Sequence, residues 1–375
     1  MLISILFFCL NNVVTTGKKT EVIWMVPSWS CTGNHSIPVE KYGIIQNENQ
    51  HYYKGGSKFA IFYMEKFGKI PYFEDFEEPI NGGLPQNGNF SEHLRVAEED
   101  IVKYIPSKDF DGLAVIDLEN FRPNWEQSWS SFNIYKTESL KRARQNNPTA
   151  SKEEITLIAR EEYDSAAKKY FLETIRLGKR LRPKAKWGYY LFPKCNFNVD
   201  KTNNKCSDKM KVYNDNMDWL WKESQALFPS YYLSKKGEER HDIDKLNFAA
   251  LISETQRVKK VYCPECEIHM FTGFEYDPYK NASYMYTKAS LRISLEYIMR
   301  HNLDGAVIWS TSKNMKQRCD NITTYVNDYL GPHVQYINQD LDKCRKKICR
   351  GRGECYLPHG VVNPNSSDYL CRYDQ

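Results

Sequence analysis

Two neighbouring carboxylates are the residues of this chain whose types and spacing are best suited to chemistry. Asp117 and Glu119 follow directly on the apolar run Gly112–Ile116, which is typical of a strand buried on both faces. Because side chains alternate along a strand, Asp117 and Glu119 lie on the same face, roughly 7 Å apart along the backbone. Two partly buried charges at this spacing repel each other, so we expect one carboxyl group to stay protonated near neutral pH.

This carboxylate pair has a catalytic and a structural interpretation. A protonated carboxyl group beside a carboxylate is what glycosidic bond cleavage needs to protonate its leaving oxygen. In the structural interpretation, Asp117 caps the following loop and Glu119 pairs with Arg122. The Asp-x-Glu spacing alone does not decide between the two, so the elements around it have to.

The composition is that of a soluble globular protein. The 375 residues can form one barrel-sized domain with a small appendage, and 41% hydrophobic and 26% charged residues are ordinary proportions. Aromatic residues are frequent at 14%; such side chains stack on sugars but also fill large cores. The net charge of +5 mildly favours a polyanionic partner.

Strand-like and helix-like segments alternate along the chain. Strand patterns cover Glu21–Val26, Phe59–Tyr63, Gly112–Ile116, Trp187–Pro193, Ser230–Leu233, Ile268–Tyr276 and Gly305–Trp309. Helical patterns cover Ser91–Tyr104 with a capping serine, 149–182 with a capping box at Ser151 and Glu154, Asp215–Leu227, 240–258, Ser283–Arg300 and 320–330 before Gly331-Pro332. The alternation predicts an α/β fold with about seven parallel strands, doubly wound or closed as a barrel. No glycine-rich phosphate loop follows a strand, so we expect neither nucleotide nor nucleic acid as a partner.

The carboxyl ends of these strands share a chemical character. In a closed β/α barrel the reactive groups lie at these ends. They carry Tyr63, Asp117, Glu119, Tyr190, Tyr232, Tyr276 and Trp309. Polar aromatics beside a carboxylate pair are typical of a sugar-binding cleft, although core packing explains any single aromatic side chain equally well.

The ends of the chain and its cysteines predict export. Residues 1–16 begin with the apolar run Leu2–Leu10, which is too short to span a membrane and fits a signal peptide. Without Cys9, ten cysteines remain for five disulfides in an oxidising compartment. Glycosylation motifs stand at Asn34, Asn89, Asn281, Asn321 and Asn365. With no hydrophobic C-terminal tail, we expect a secreted, extracellular protein without a membrane anchor, and a monomer.

Five separate motifs resemble those of the animal hyaluronidases, glycoside hydrolase family 56. They are Val115–Pro123, Gly82–Asn87, Trp187–Pro193 followed by Cys195, Phe228–Tyr232 and Ala306–Trp309. The resemblance runs from Trp24 to Cys371 in the same order. It implies a distorted TIM-like (β/α)7 barrel over residues 17–335, and a small disulfide-rich, EGF-like module over 340–375 that is incomplete at its end.

The resemblance also implies a reaction. The expected activity is endo-hydrolysis of the β-1,4 bond between N-acetylglucosamine and glucuronate in hyaluronan, with weaker action on chondroitin. The acetamido oxygen of the substrate serves as nucleophile, so that no metal or cofactor is needed. By resemblance Glu119 is the proton donor and Asp117 its partner, while substrate-binding roles fall to Tyr63, Arg122, Tyr190, Tyr232 and Trp309. For Arg122 a structural salt bridge to the carboxylate pair explains the residue equally well.

The cysteine pairing is implied by the same resemblance. The expected pairs are Cys31–Cys319, Cys195–Cys206, Cys344–Cys355 and Cys349–Cys371. Cys263 and Cys266 are outside the family pattern, and we expect a local disulfide between them because no second close cysteine pair is present to complete a zinc site.

Two other functions remain open at this stage. A hyaluronan-binding or adhesion protein on the same scaffold, with little turnover, could use the basic stretch Arg345–Arg352; the presence of both acidic residues favours the hydrolase. A hydrolase that prefers chondroitin differs only in subsite residues, which the sequence does not rank.

Overall fold

The structure is a computed structural model that describes residues 19–49, 55–195, 205–233, 240–280, 284–358, 361 and 366–373. The predicted signal peptide, residues 1–16, lies outside these ranges. The same holds for two of the five glycosylation motifs, Asn281 and Asn365.

Strands and helices alternate over most of the described chain. The strands are β1 Glu21–Trp24, β2 Ile45–Gln46, β3 Phe59–Tyr63, β4 Tyr72–Glu74, β5 Glu78–Ile80, β6 Leu113–Asp117, β7 Lys186–Tyr189, β8 Ala226–Leu227, β9 Glu267–Thr272, β10 Gly305–Ile308, β11 Glu354–Tyr356 and β12 Leu370–Arg372. The helices are α1 Phe90–Tyr104, α2 Asn133–Asn146, α3 Lys152–Leu181, α4 Asp208–Asp215, α5 Asp218–Trp221, α6 His241–Tyr262, α7 Lys288–Leu291, α8 Tyr297–Arg300, α9 Met315–Tyr325 and α10 Gly331–Lys347. Single π-helical turns join α7 to α8 and α9 to α10.

The parallel strands form two sheets that continue into one another. One has the order β2-β1-β10-β9-β8 and the other β3-β6-β7, and every neighbouring pair within them is parallel. A parallel bridge between Tyr190 and Phe228 connects the ends of β7 and β8. The fold is therefore mixed α/β with parallel strands, as predicted.

A buried asparagine, Asn47, connects β2 of one sheet to β3 of the other. We call this junction between the two sheets the seam. The side chain of Asn47 is only 3% exposed. Its Oδ1 accepts hydrogen bonds from the backbone nitrogens of Lys58 (3.1 Å) and Phe59 (2.9 Å), and its Nδ2 donates to the Phe59 oxygen (3.0 Å). One side chain thus replaces the ladder of hydrogen bonds that two longer strands would form, and satisfies backbone groups that burial would otherwise leave unpaired.

Alternation along the strands separates two cores. In β3, Ala60 and Phe62 pack under the helices, whereas Phe59 and Ile61 face the interior between the strands. The interior row of β3 continues to Tyr63, and register pairs Tyr63 with Asp117 at the end of β6. The face that fills the interior therefore ends in the predicted site residues Tyr63 and Asp117, because residues i, i+2 and i+4 share one face.

The region between β7 and β9 differs from the prediction. The predicted helix over Asp215–Leu227 is wrong: α4 ends at Asp215, α5 is a single turn, and β8 follows. The predicted strand at Ser230–Leu233 is also wrong, since Ser230 makes only an isolated bridge to Phe271. Backbone bonds from Gln225 to Trp187 and from Glu267 to Gln225 (2.8 and 3.0 Å) anchor this segment between its neighbours, so tertiary pairing overrides the local helical pattern.

The two predicted helix starts have different outcomes. The capping box at Ser151 is confirmed, with the Ser151 hydroxyl accepting from the Glu154 nitrogen at 3.2 Å and the Ser151 nitrogen donating to the Glu154 carboxylate at 2.7 Å. In α1 the capping residue is Asn89 and not Ser91: the Asn89 Oδ1 accepts from the Glu92 nitrogen at 3.1 Å. The glycosylation motifs at Asn34, Asn89 and Asn321 are all exposed.

Gly331 and Pro332 do not end the last helix. Pro332 lies in the first turn of α10, where its missing N–H costs little, and the π-helical turn before it adjusts the hydrogen bonding. The predicted barrel ends at residue 335 and the predicted module begins at residue 340. Helix α10 is continuous across both positions. The tail beyond it contains the antiparallel pair β11–β12, and its EGF-like character stays a prediction.

The structure contains the four disulfides that the resemblance implies, and corrects the fifth. Cys31–Cys319, Cys195–Cys206, Cys344–Cys355 and Cys349–Cys371 are paired. Cys263 and Cys266 are buried free thiols, so the expected local disulfide is wrong. The Cys266 thiol donates instead to the Ser224 oxygen at 3.2 Å, and a hydrogen bond joins the two cysteine side chains.

No helix in the described part of the chain is long and apolar enough to cross a membrane.

The Asn47 seam gives a stability prediction. We expect Asn47→Ala to lower the free energy of unfolding by ~2–4 kcal/mol, because it leaves the backbone N–H groups of Lys58 and Phe59 without their partner, while the Phe59 carbonyl keeps its bond from the Gly56 nitrogen. Denaturant unfolding measures the change. The control is Asn146→Ala at the exposed end of α2. Equal stabilities of the two variants would contradict the conclusion that Asn47 stabilises the junction between β2 and β3.

Candidate active site

One cavity of about 480 Å³ gathers most of the predicted site residues. It lies at the carboxyl ends of the parallel strands. Its lining includes Tyr63, Asp117, Glu119, Tyr190, Tyr232 and Trp309. Six of the seven predicted catalytic and substrate-binding residues thus meet in one place, although they are spread over almost 250 positions of the sequence.

The carboxylate pair forms one side of this cavity. Asp117 ends β6, and its buried Oδ1 has no hydrogen-bond partner among the described residues. Burial raises the pKa of Asp117 well above its usual range, and the neighbouring Glu119 and then Glu65 raise it further. An unpartnered buried oxygen is costly in the free protein, which makes Asp117 Oδ1 available to a ligand donor.

Glu119 has a different environment from Asp117. Its side chain reaches solvent through the cavity, while protein atoms surround it on the other sides, and this burial raises its pKa. The nearby charges of Lys194 and Arg122 act in the opposite direction and favour the carboxylate. Two carboxyl groups with raised, mutually dependent pKa values can hold a proton near neutral pH and release it to a ligand.

Aromatic side chains line the same cavity. The Trp309 indole nitrogen donates to the Tyr63 hydroxyl at 3.1 Å, and the Tyr232 ring meets the Trp309 ring edge-on with centroids 6.1 Å apart. A hydrogen bond joins the side chains of Tyr190 and Tyr232, and burial raises the pKa of both phenols. These hydroxyls therefore stay neutral and can donate hydrogen bonds at any pH at which the protein is folded.

Arg122 is the predicted site residue that lies outside the cavity. Its Nη1 donates to the backbone oxygen of Glu119 at 3.1 Å, and its guanidinium stacks on the Phe132 ring at 3.8 Å. Among the described residues no carboxylate forms an ion pair with Arg122, so the salt bridge expected in the structural interpretation is not formed. The bond to the carbonyl instead orients the backbone that carries Glu119.

Comparison with known proteins agrees with this geometry. The family model described as Hyaluronidase matches residues 11–373. The chain belongs to the hyaluronidase family. Because that family consists of hydrolases of glycosidic bonds, the protein is a glycoside hydrolase.

Named relatives cover nearly the whole chain. A protein called chondroitin hydrolase from Caenorhabditis elegans is 51% identical over 96% of this chain and 79% of its own length. A hyaluronidase from Loxosceles intermedia is 34% identical over 90% of this chain and 84% of its own. The solved structure of bee venom hyaluronidase in complex with a hyaluronic acid tetramer has a TM-score of 0.76 and 29% identity, covering 85% of this chain and all of that one.

Sequence reasoning missed three carboxylates of this hyaluronidase cavity, Glu65, Glu275 and Asp277. Glu65 follows β3 by two residues and Glu275 follows β9 by three. Glu275 is buried and bonded to Arg318 at 2.7 Å, an ion pair that favours its carboxylate form and binds the floor of the cavity to α9. In a β/α barrel the site residues lie at the carboxyl ends of the strands. If the loop residues just after each strand had been included, the sequence analysis would have found these carboxylates too.

A second missed residue type is a cation. Lys194 lies outside the cavity but is the nearby charge with the largest effect on Glu119. Nothing in its local sequence, Phe-Pro-Lys-Cys, indicates proximity to the carboxylates. Among the described residues no group of three or more His, Cys, Asp or Glu side chains is placed to hold a metal ion.

The raised pKa of Asp117 predicts a pH-dependent change in stability. A carboxyl group whose pKa is raised by folding stabilises the protein below its ordinary pKa of about 4, and this contribution is lost as the pH rises through the raised value. We therefore expect Asp117→Asn to be more stable than the parent protein at pH 7. The difference in the free energy of unfolding is about 1.4 kcal/mol for each tenfold increase in the proton affinity of Asp117 on folding. Near pH ~3.5 the two proteins should be equally stable.

Thermal unfolding at both pH values measures this difference. Asp111→Asn, at an exposed position just before the same strand, is the matched control and should change little. A parent protein that is as stable as Asp117→Asn at pH 7 would show that Asp117 is not held in an unfavourable ionised state.

Proposed function

We propose that this protein is an endo-acting hydrolase that cleaves the β-1,4 bond between an N-acetylhexosamine and glucuronate in hyaluronan and chondroitin. The observation that carries the proposal is the carboxylate pair in an aromatic-walled cavity of about 480 Å³, a volume within the range of small-molecule sites. Four disulfides support the further proposal that it acts outside the cell.

The proposed first step breaks the glycosidic bond. Glu119 transfers its proton to the bridging oxygen, and the acetamido oxygen of the bound N-acetylhexosamine attacks the anomeric carbon as the leaving sugar departs. This forms a cyclic oxazolinium ion. The ionised Glu119 then takes a proton from water, whose oxygen opens the ring with overall retention of configuration.

Asp117 and the tyrosines orient the acetamido group in this mechanism. The unpartnered Oδ1 of Asp117 accepts the acetamido N–H, which makes the acetamido oxygen more nucleophilic and offsets the positive charge that develops on the ring. The Tyr232 hydroxyl, which stays neutral because burial raises its pKa, donates to the acetamido oxygen. Trp309 and Tyr63, bonded to each other, close the pocket in which the acetamido group bends towards the anomeric carbon.

A preference for chondroitin is the second candidate. It is favoured by the 51% identity to the protein named chondroitin hydrolase, which exceeds the identity to the Loxosceles hyaluronidase. The two substrates differ in the configuration of one hydroxyl group on the N-acetylhexosamine. The reaction and the roles of Asp117 and Glu119 are the same for both.

Removing the proton donor tests the reaction. We expect Glu119→Gln to retain substrate binding and to lower kcat by at least about 10³-fold, because the leaving oxygen loses its acid. The measurement is the chain length of high-molecular-weight hyaluronan and chondroitin between pH 4 and 7. Glu98→Gln, at an exposed position on α1, should behave like the parent protein.

The products distinguish the mechanisms. Saturated, even-numbered oligosaccharides support hydrolysis, whereas unsaturated products would establish a lyase. Tight binding without shortening of either polymer at any pH would refute the hydrolase and favour the adhesion protein.

Direct competition tests the preference. We expect unsulfated chondroitin to be cleaved with the larger kcat/KM when both polymers are present at equal disaccharide concentration. A larger value for hyaluronan would reject the second candidate and leave the reaction unaffected.

A further inference from the structure

Two cations lie close to Glu119 but outside the catalytic cavity. Arg122 and Lys194 both line a cavity of about 170 Å³ and a second of about 230 Å³. We call these two residues the cation pair. The two cavities share this part of their lining, and Arg122 donates from it to the backbone oxygen of Glu119.

In the described part of the chain, no residue supplies the cation pair with a bound counter-charge. Among the described residues no carboxylate lies within ion-pairing distance of either side chain, and burial together with the charge of Arg122 lowers the pKa of Lys194 well below its usual range. Glu119 compensates through space when it is ionised. In the protonated state that an acid catalyst requires, Glu119 carries no charge, and the two cations then face each other without an anion.

The backbone fixes the position of Lys194. The Asn214 side chain donates to the Lys194 carbonyl at 2.8 Å, and the Lys194 ammonium lies 5.1 Å above the Phe192 ring. Neither contact neutralises the ammonium group. The fold therefore holds the Lys194 amine close to the Arg122 guanidinium, where its charged form is costly unless something anionic binds there.

An exposed aromatic side chain stands next to the pair. Trp129 is 60% exposed and lines the larger cavity together with Ser130 and Ser131. An indole face, two hydroxyl groups and two cations form the usual combination for an anionic sugar: the ring stacks, the hydroxyls bond to hydroxyls, and the cations bind the acidic group.

We propose that Arg122, Lys194 and Trp129 form a subsite for the uronate on the leaving side of the scissile bond, with the cation pair binding its carboxylate. The proposal rests on the proposed function, in which the departing sugar is glucuronate. Glu119 donates its proton between the two sugars, so a subsite that adjoins Glu119 outside the catalytic cavity is placed for the departing one.

The subsite also assists the chemistry. The uronate carboxylate supplies the missing counter-charge while Glu119 is protonated, so substrate binding and the acid form of Glu119 favour each other. When Glu119 loses its proton to the bridging oxygen, its new negative charge forms beside two fixed cations and is stabilised by them.

Removal of the Lys194 charge tests the subsite on two matched substrates. The substrates are a hyaluronan octasaccharide and the same octasaccharide with its carboxyl groups reduced to alcohols. We expect Lys194→Gln to lower kcat/KM about 10- to 100-fold on the first and less than about threefold on the second, with Lys194→Arg restoring most of the loss. Lys209→Gln, an exposed lysine nearby, is the control.

Equal losses on both substrates would overturn the proposal, because Lys194 would then act through Glu119 or the fold. A loss confined to sulfated chondroitin would overturn it in favour of a sulfate site. Binding of both octasaccharides to Glu119→Gln, with and without Lys194→Gln, separates the proposals: binding that depends on Lys194 and on the carboxyl groups supports the subsite even in a protein that cleaves nothing.

Discussion

The cost of placing two carboxyl groups at the buried end of one strand governs this structure. Asp117 ends β6 and Glu119 follows it by two residues. Both line one cavity, and burial disfavours the charge of both, although Glu119 reaches solvent through the cavity. Two surrounding features lower this cost: the cavity admits solvent to Glu119, and the nearby cations favour its ionised form. Asp117 keeps an oxygen without a hydrogen-bond partner among the described residues. The buried carboxyl groups destabilise the free protein, and the same groups are positioned to bind and protonate a substrate.

The rigidity of the fold makes this arrangement possible. The register between β3 and β6 aligns Tyr63 with Asp117, and the Asn47 side chain holds the seam beside β3. A buried ion pair between Glu275 and Arg318 fixes the floor. These contacts connect the strands and the helix that surround the cavity.

Charge is organised in two shells around Glu119, the proposed proton donor. Carboxylates and neutral phenols face the catalytic cavity, whereas Arg122 and Lys194 adjoin it from outside. This separation explains how one residue can serve as an acid with a raised pKa and still leave a stabilised carboxylate after it gives up its proton. In the proposed mechanism the departing sugar is anionic and lies on the cationic side.

The residue types and their order along the chain already determine the strand pattern, the carboxylate pair, the capping box at Ser151 and the aromatic strand ends, because these depend on the period of a strand or on contacts within a few residues. The position of β8, the free thiols at Cys263 and Cys266 and the approach of Lys194 to Glu119 depend on partners roughly 40 to 75 positions away. No local pattern encodes such distances, since they arise only when the strands and loops pack against one another.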